Sequence, residues 1–186
     1  MDAPTDSFKR IVAAFVLSVG FSLPVAAQDG RLDDLMAQLA AADEASAPRI
    51  ESAILTEWSK SGSPAVDLLL KRGEDAMEAG APEVAIEHFT AAIDHAPDFA
   101  EAYHGRATAY YMTDRIGPAL DDLRQTLVLN PRHFNALQGF GILLLEMGRE
   151  AEAAEVLRQV QAMYPANAEV NDVLRRLELK FEGQAL

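Results

Sequence analysis

The pattern of apolar and polar positions predicts α-helices along the chain beyond residue 27. A first helix is indicated by apolar residues that share one face: Leu32, Leu35, Met36 and Leu39. Pro48 is suited to open a second helix, because proline is tolerated in a first turn. The apolar stripe of that helix is Ile50, Ile54 and Trp58, and it stops at the breaker Ser61-Gly62-Ser63-Pro64. Residues 28–63 are therefore predicted to form a helical hairpin.

Beyond this hairpin the sequence repeats every 34 positions, in units 66–99, 100–133 and 134–167 of a region that spans 64–167. Matching positions carry residues of similar character: Pro97, Pro131 and Pro165; Ala85, Ala119 and Ala153; Phe89, Leu123 and Leu157; Leu69, Tyr103 and Leu137; Gly73, Ala107 and Gly141; Ala76, Tyr110 and Leu144. A gapless period of this length indicates stacked units, since one unit cannot bury its apolar face alone.

Each unit is predicted to contain two helices separated by the same break. In the first unit Gly80 ends one helix and Pro82 opens the next. Asp114 with Gly117-Pro118 makes the break in the second unit, and Gly148 makes it in the third. Pro131 and Pro165 stop the second helices, because a proline disfavours helical geometry in the residue before it.

The recurring small, aromatic and proline positions resemble the tetratricopeptide repeat, a helix–turn–helix unit. The resemblance implies an all-α fold, a right-handed α-solenoid. The hairpin at 28–63 is then expected to be an N-terminal cap or a degenerate repeat that covers the exposed side of the first unit. Residues 168–186 are expected to form a C-terminal capping helix, followed by a frayed tail from about Phe181. The apolar stripe of that helix is Val170, Val173, Leu174 and Leu177.

The resemblance also implies a concave groove, lined by the first helices of the repeats, that takes an extended or helical peptide. The residues expected to line it are Lys71, Glu74, His104, Thr108, Tyr111, Met112, Asn135, Gln138, Ile142 and Leu145. We expect Tyr111 and Met112 to be the anchors, since an aromatic ring and a flexible thioether suit apolar partners.

Some members of the family hold a C-terminal carboxylate with Lys, Arg and Asn side chains. The corresponding positions here are Leu70, Glu74, Gly105, Asn135 and Gly139, of which only Asn135 could serve. This mode of binding is therefore not expected. The alternative to groove binding is that Tyr111, Ile142 and Leu145 complete internal packing. The protein would then be a structural subunit of an envelope complex that uses its convex or edge surface.

The first 27 residues are predicted to be a secretory signal. Lys9 and Arg10 precede the apolar run from Ile11 to Leu23, which is short for a membrane span. Small residues follow, and cleavage is expected between Ala27 and Gln28. An uncleaved anchor is the alternative. After cleavage no further membrane span is expected, and the product would be secreted, or periplasmic in a Gram-negative source.

The charge of the chain narrows the class of partner. The formal net charge of its 186 residues is -13, which argues against nucleic acid because phosphate contact needs a basic surface. A neutral, apolar or basic protein or peptide is favoured instead. The chain has no cysteine, so disulfides and thiolate chemistry are excluded.

No catalytic residue, metal site or cofactor is predicted. The histidines are His88, His95, His104 and His133, and their spacing places none beside an acidic or histidine partner as a metal site requires. The pair Asp121-Asp122 is interpreted as part of a solvated helix face. A non-enzymatic adaptor is therefore the predicted function.

Overall fold

The computed structural model describes residues 23–184, with side chains from 30 to 183. All regular structure in that range is helical: α1 (Leu23–Ala40), α2 (Ala47–Trp58), α3 (Pro64–Glu78), α4 (Pro82–His95), α5 (Ala100–Met112), α6 (Ile116–Leu129), α7 (Phe134–Glu146), α8 (Glu150–Met163) and α9 (Ala168–Gln184). The predicted all-α fold is confirmed over these residues. Most of the predicted leader lies outside them, and α1 spans the predicted cleavage point.

The helices α3 to α8 form three antiparallel hairpins that share one turn geometry. Gly80, Asp114 and Gly148 each adopt a left-handed backbone, with φ of 70°, 59° and 74°. Each turn is closed by a 2.8 Å hydrogen bond that links Ala81 N–H to Ala76, Arg115 N–H to Tyr110 and Arg149 N–H to Leu144. Aspartate is tolerated in this conformation, so the second unit keeps the turn without glycine. The predicted breaks at Gly80, Asp114 and Gly148 are confirmed, whereas Gly117-Pro118 lies in the first turn of α6 and not in the break.

Glycine allows close packing between the first two repeats. The ring of Phe89 lies between Gly73 of α3 and Gly105 of α5. A Cβ added to Gly73 would lie 2.4 Å from Phe89 Cε1, and one added to Gly105 would lie 2.6 Å from the same atom. In the third repeat a Cβ on Gly141 would lie 2.7 Å from Leu157. The glycines are therefore needed to seat a large side chain from the second helix.

The N-terminal hairpin lies on the third repeat, so the prediction that it covers the first repeat is wrong. Buried residues of α1 and α2 share one core with α7, α8 and α9, whereas the core of the first repeat contains none of them. The Trp58 ring stacks on His133 with centroids 4.6 Å apart and contacts Phe134 at 5.0 Å. Arg132 and Asp33 form an ion pair of 2.7 Å across the same contact. The hairpin docks here because Phe134 offers a large apolar surface to Trp58.

The C-terminal helix is longer than the sequence predicts. The helix α9 continues to Gln184, since Phe181 is partly buried against the core formed with α1, α2, α7 and α8. Among the described helices, none combines the length and the apolar character that a membrane crossing needs.

Candidate functional site

An open pocket lies between the first helices of the second and third repeats. Its volume is about 300 Å³. One wall is formed by His104, Ala107, Thr108 and Tyr111 of α5, the opposite wall by Asn135, Gln138, Gly139, Ile142 and Leu143 of α7, and the floor by Leu123 of α6. The exposed lining is predominantly apolar. Such a pocket suits one or two apolar side chains of a ligand.

The pocket exists because the second inter-repeat contact is less tightly filled than the first. Leu123 occupies the position that Phe89 holds one repeat earlier, and Gly139 corresponds to Gly105. A Cβ on Gly139 would meet Leu123 only at 3.7 Å, an ordinary contact distance. Ala107 replaces Gly73 and supplies a methyl group that a phenylalanine at 123 would meet. The smaller leucine leaves the space open.

Hydrogen bonds fix the side chains at the mouth of the pocket. The Tyr111 hydroxyl donates to Glu146 at 2.6 Å, and this bond raises the pKa of Tyr111, with desolvation adding to it. The Gln138 amide donates to Glu169 at 2.9 Å and accepts from Asn167 at 3.0 Å. Two separate sets of hydrogen bonds therefore tie α7 to α5 and to the start of α9 around the mouth, which reduces the ordering cost of binding.

The pocket contains six of the ten residues predicted to line the groove: His104, Thr108, Tyr111, Asn135, Gln138 and Ile142. Met112 is 54% exposed but lies outside the pocket, at the end of α5. Leu145 packs instead against the core that contains the N-terminal hairpin. Lys71 and Glu74 lie on α3, outside the pocket, and Lys71 is paired with Asp75. The structure therefore places the predicted anchor Tyr111 in the pocket and leaves Met112 outside it.

Known proteins share the sequence pattern of this chain. No family model matches the chain. A TPR repeat-containing protein of Rhizobium etli is 30% identical over 154 residues, which cover 82% of this chain and 76% of that protein. The chain belongs to the tetratricopeptide repeat (TPR) family. The second relative, DnaJ homolog subfamily C member 3 of Rattus norvegicus, is 32% identical over 121 residues, and the chain spans 24% of its length.

Solved structures share the fold. The first TPR of Spaghetti (RPAP3), bound to an HSP90 peptide SRMEEVD, superposes with a TM-score of 0.59 at 22% identity. The match covers 63% of this chain and 95% of that one. The Yersinia enterocolitica type III secretion chaperone SycD, in complex with a peptide of the translocator YopD, matches with a TM-score of 0.59 at 18% identity, over 63% and 95% of the two chains. The TPR solenoid is therefore established at the level of the fold.

The interpretation that no histidine has a close acidic or histidine partner is wrong for this TPR protein. The rings of His104 and His133 have centroids 4.5 Å apart, and His133 Nε2 lies 2.9 Å from a Glu101 carboxylate oxygen. The three residues lie within ligand distance of one another, as a metal site would require. The 34-residue register conceals this contact, because it joins the N-terminal ends of α5 and α7 across two repeats.

The hydrogen bonds of His133 do not fit metal binding. Its Nδ1 accepts the backbone N–H of Ala136 at 3.1 Å and so caps the start of α7. The proton of the neutral ring must then be on Nε2, which donates it to Glu101. A metal ligated by Nε2 would displace that proton and require one on Nδ1, which would break the cap. The cluster is therefore structural, and it holds α7 against α5 beside the pocket.

His104 makes stability depend on acidity. Desolvation, followed by the nearby His133, lowers the pKa of His104 from 6.5 to about 4. The ring of His104 is therefore protonated below about pH 6.5 in the unfolded chain, but only below about pH 4 in the folded chain. Stability is full above pH 6.5 and falls as the pH drops through this window. We expect a loss on the order of 2 kcal/mol between pH 7 and pH 4.5 that His104→Gln removes.

Urea denaturation at both pH values measures this loss, and His95→Gln, at an exposed position, is the control. Glu101 adds to the acid sensitivity only at lower pH. Burial alone would raise the pKa of Glu101, but the hydrogen bond from His133 holds that pKa below its ordinary value. An equal loss in wild type and His104→Gln would show that His104 does not carry the effect.

Proposed function

We propose that this TPR protein is a non-enzymatic adaptor that binds a peptide or helix of another protein in the pocket between α5 and α7. The observation that supports this best is the open, mostly apolar pocket beside two exposed apolar side chains. Tyr111 is 42% exposed and Met112 is 54% exposed, so neither is used up in internal packing. An exposed aromatic at the mouth of an apolar pocket is the usual composition of an interface anchor.

The lining of the pocket favours binding over catalysis. Among its residues, none forms a nucleophile and base pair. The Thr108 hydroxyl donates to the backbone oxygen of His104 at 3.0 Å, and the depressed pKa of His104 keeps its ring neutral at pH 7. An apolar pocket with few polar groups supplies recognition energy, and an imidazole with a pKa of about 4 is only a weak general base.

The two peptide-bound structures support the mode of binding, but the chemistry of the peptide must differ from SRMEEVD. A carboxylate-terminated acidic peptide would meet Glu74 rather than a lysine at the position that the clamp of some TPR domains uses. Like charges across an interface disfavour the complex. The proposed partner is therefore a neutral, apolar or basic segment.

We also propose that the protein is exported, with Lys9, Arg10 and the apolar run to Leu23 acting as the signal. Cleavage between Ala27 and Gln28 would remove the start of α1 and keep His133 and Phe134, whose rings contact Trp58. The working location would be the periplasm of a Gram-negative cell or the exterior of another cell. The structural-subunit alternative requires a filled groove, and the open pocket gives it no support.

Crosslinking in cells tests the proposal. A photoreactive phenylalanine analogue replaces Tyr111 in one strain and Val128 in another, because Val128 is 72% exposed on α6 and away from the pocket. We expect one peptide segment of a partner to be captured from position 111 and not from position 128. Mass spectrometry of the captured complex reads both that segment and the first residue of the adaptor, which is expected to be Gln28.

A pocket-filling variant makes the test specific. A107G/L123F copies the Gly73 and Phe89 pair of the first repeat into the second, where Gly139 already matches Gly105. Circular dichroism is expected to show an intact fold, and capture from position 111 is expected to fall at least about tenfold, the effect of removing a binding hot spot. Capture that is unchanged in this variant, or equal from positions 111 and 128, would reject the pocket as the working surface.

A further inference from the structure

A second cavity adjoins the apolar pocket and is lined by acidic residues. Its volume is about 390 Å³, and it lies between the N-terminal hairpin, α7 and the turn before α9. Three carboxylates line it, from Glu44, Glu51 and Glu169, and its lining includes no basic residue. Asn135 and Gln138 line both cavities. The two cavities therefore adjoin at these two side chains, and together they are called the groove, with an apolar end and an acidic end.

The carboxylates in this cavity have no cationic partner among the residues that line it. Glu51 accepts the Tyr164 hydroxyl at 3.0 Å, and desolvation together with this carboxylate raises the pKa of Tyr164 to about 12. Glu169 accepts the neutral amide of Gln138. Both donors are uncharged, so neither neutralises its partner. Glu44 is exposed at the rim of the cavity.

Helix dipoles offset only part of this negative charge. The first turns of α2, α7 and α9 contribute residues to the cavity, namely Pro48, Asn135 and Glu169. Each helix N-terminus is equivalent to roughly half a positive charge, which gives about 1.5 charges in total. Three carboxylates exceed that sum. The acidic end of the groove therefore favours a cation over an anion.

We infer that the groove recognises a peptide in which a bulky apolar residue lies within about three positions of a lysine or arginine, with the apolar side chain in the pocket and the cation among Glu44, Glu51 and Glu169. This inference rests on the proposed function and assigns chemistry to its partner. Asn135 and Gln138 line both cavities, so the apolar end and the acidic end meet at these two side chains. An extended peptide advances about 3.3–3.6 Å per residue, so residues close together in one peptide can enter the two cavities.

The same inference gives the N-terminal hairpin a role in binding. Glu44 and Glu51 belong to the hairpin, which docks on the third repeat through Trp58. If the hairpin covered the first repeat instead, the acidic end of the groove would lack two of its three carboxylates. The hairpin is therefore a specificity element of the groove as well as a cover for the third repeat.

The test uses a displayed library of random 12-residue peptides and the full chain. Peptides that bind wild type are selected, and their dissociation constants are measured by fluorescence anisotropy against A107G/L123F and against E44Q/E51Q/E169Q. Each Gln side chain keeps one acceptor oxygen, which suffices for the Tyr164 hydroxyl or the Gln138 amide, and loses the negative charge. The control E87Q/D94N/E155Q removes the same charge from three exposed residues outside both cavities.

We expect selected peptides to pair a Phe, Leu or Met with a nearby Lys or Arg. The groove triple variant is expected to weaken them at least about tenfold at low salt, while the control triple changes affinity less than about twofold. Replacing the basic residue by citrulline should remove that difference. Ile142→Arg provides a second blocked pocket if A107G/L123F fails to fold.

The remaining outcomes separate the two proposals. Peptides that need the open pocket but bind both triple variants equally would overturn the basic-residue inference and leave the adaptor function in place. The adaptor function, and this inference with it, would be overturned if the dissociation constants of the selected peptides were unchanged in both A107G/L123F and Ile142→Arg. A library without binders would have the same consequence.

Discussion

Gly105→Ala is expected to destabilise the protein by about 2 kcal/mol or more, because the new methyl group overpacks the first inter-repeat contact. A Cβ at this position would lie 2.6 Å from the Phe89 ring. The ring cannot retreat, since the backbone of Gly73 closes the other side at a distance where even a Cβ would not fit. Either the rotamer of Phe89 or the approach of α3 and α5 must change.

The matched control is Gly139→Ala, at the same position of the next repeat. Its Cβ would meet Leu123 at 3.7 Å and 3.8 Å, so no atom must move. The intrinsic gain from replacing a helical glycine by alanine is about 1 kcal/mol, and it applies equally at both positions. Gly139→Ala is therefore expected to leave stability unchanged or to raise it by up to about 1 kcal/mol.

Urea denaturation of the two variants measures the difference in packing directly, because the helix propensity term cancels between them. We expect the two unfolding free energies to differ by about 3 kcal/mol. Equal effects would mean that the second inter-repeat contact is as full as the first, and the origin assigned to the pocket would be wrong.

Much of the repeat architecture could be predicted from the sequence because its determinants are local and periodic. The turn at Gly80, Asp114 and Gly148 depends on residues within one turn of chain, and the 34-residue register aligns them. The helix-stopping prolines act on their direct neighbours. Most residues expected on the groove also follow from helical periodicity, as the placement of Tyr111 and Ile142 in the pocket shows.

The pocket can be predicted from the aligned repeats when the volumes of matching side chains are compared. Phe89 and Leu123 align, as do Gly105 and Gly139, so the second contact has a smaller side chain against the same glycine. A comparison of volumes across the repeats, rather than of residue classes, would have indicated missing volume. The polar half of the groove had no such signal, because Glu44 and Glu51 lie outside the repeats.

The position of the N-terminal hairpin could not be predicted from its own residues. An apolar stripe shows that Ile54 and Trp58 are buried but not which surface buries them. Both ends of a solenoid expose apolar faces, and terminal units commonly cover the end nearest in sequence. The structure selects the third repeat, where Trp58 meets His133 and Phe134.

Trp58→Ala is expected to destabilise the protein by about 3–5 kcal/mol, the usual cost of truncating a buried tryptophan. The side chain is only 9% exposed and joins α2 to the start of α7. Its loss would uncover Phe134 and the ring of His133, which organises Glu101 and the cap of α7. Chemical denaturation followed by circular dichroism measures the change. Tryptophan fluorescence cannot be used, because Trp58 is the only tryptophan of the chain.

Trp58→Phe tests how much of this stability comes from an aromatic ring at position 58. The indole N–H of Trp58 is buried and has no hydrogen-bond partner among the residues whose side chains are described, so phenylalanine loses ring area but none of the polar contacts seen there. We expect this variant to lose well under half of what alanine loses, on the order of 1 kcal/mol, because an aromatic ring can still stack on His133. If the free energy of unfolding of Trp58→Ala instead lies within about 1 kcal/mol of the wild-type value, the hairpin contributes little to the cooperative unit. The acidic end of the groove would then rest on a loosely held element, and the selectivity for basic peptides should fall with it.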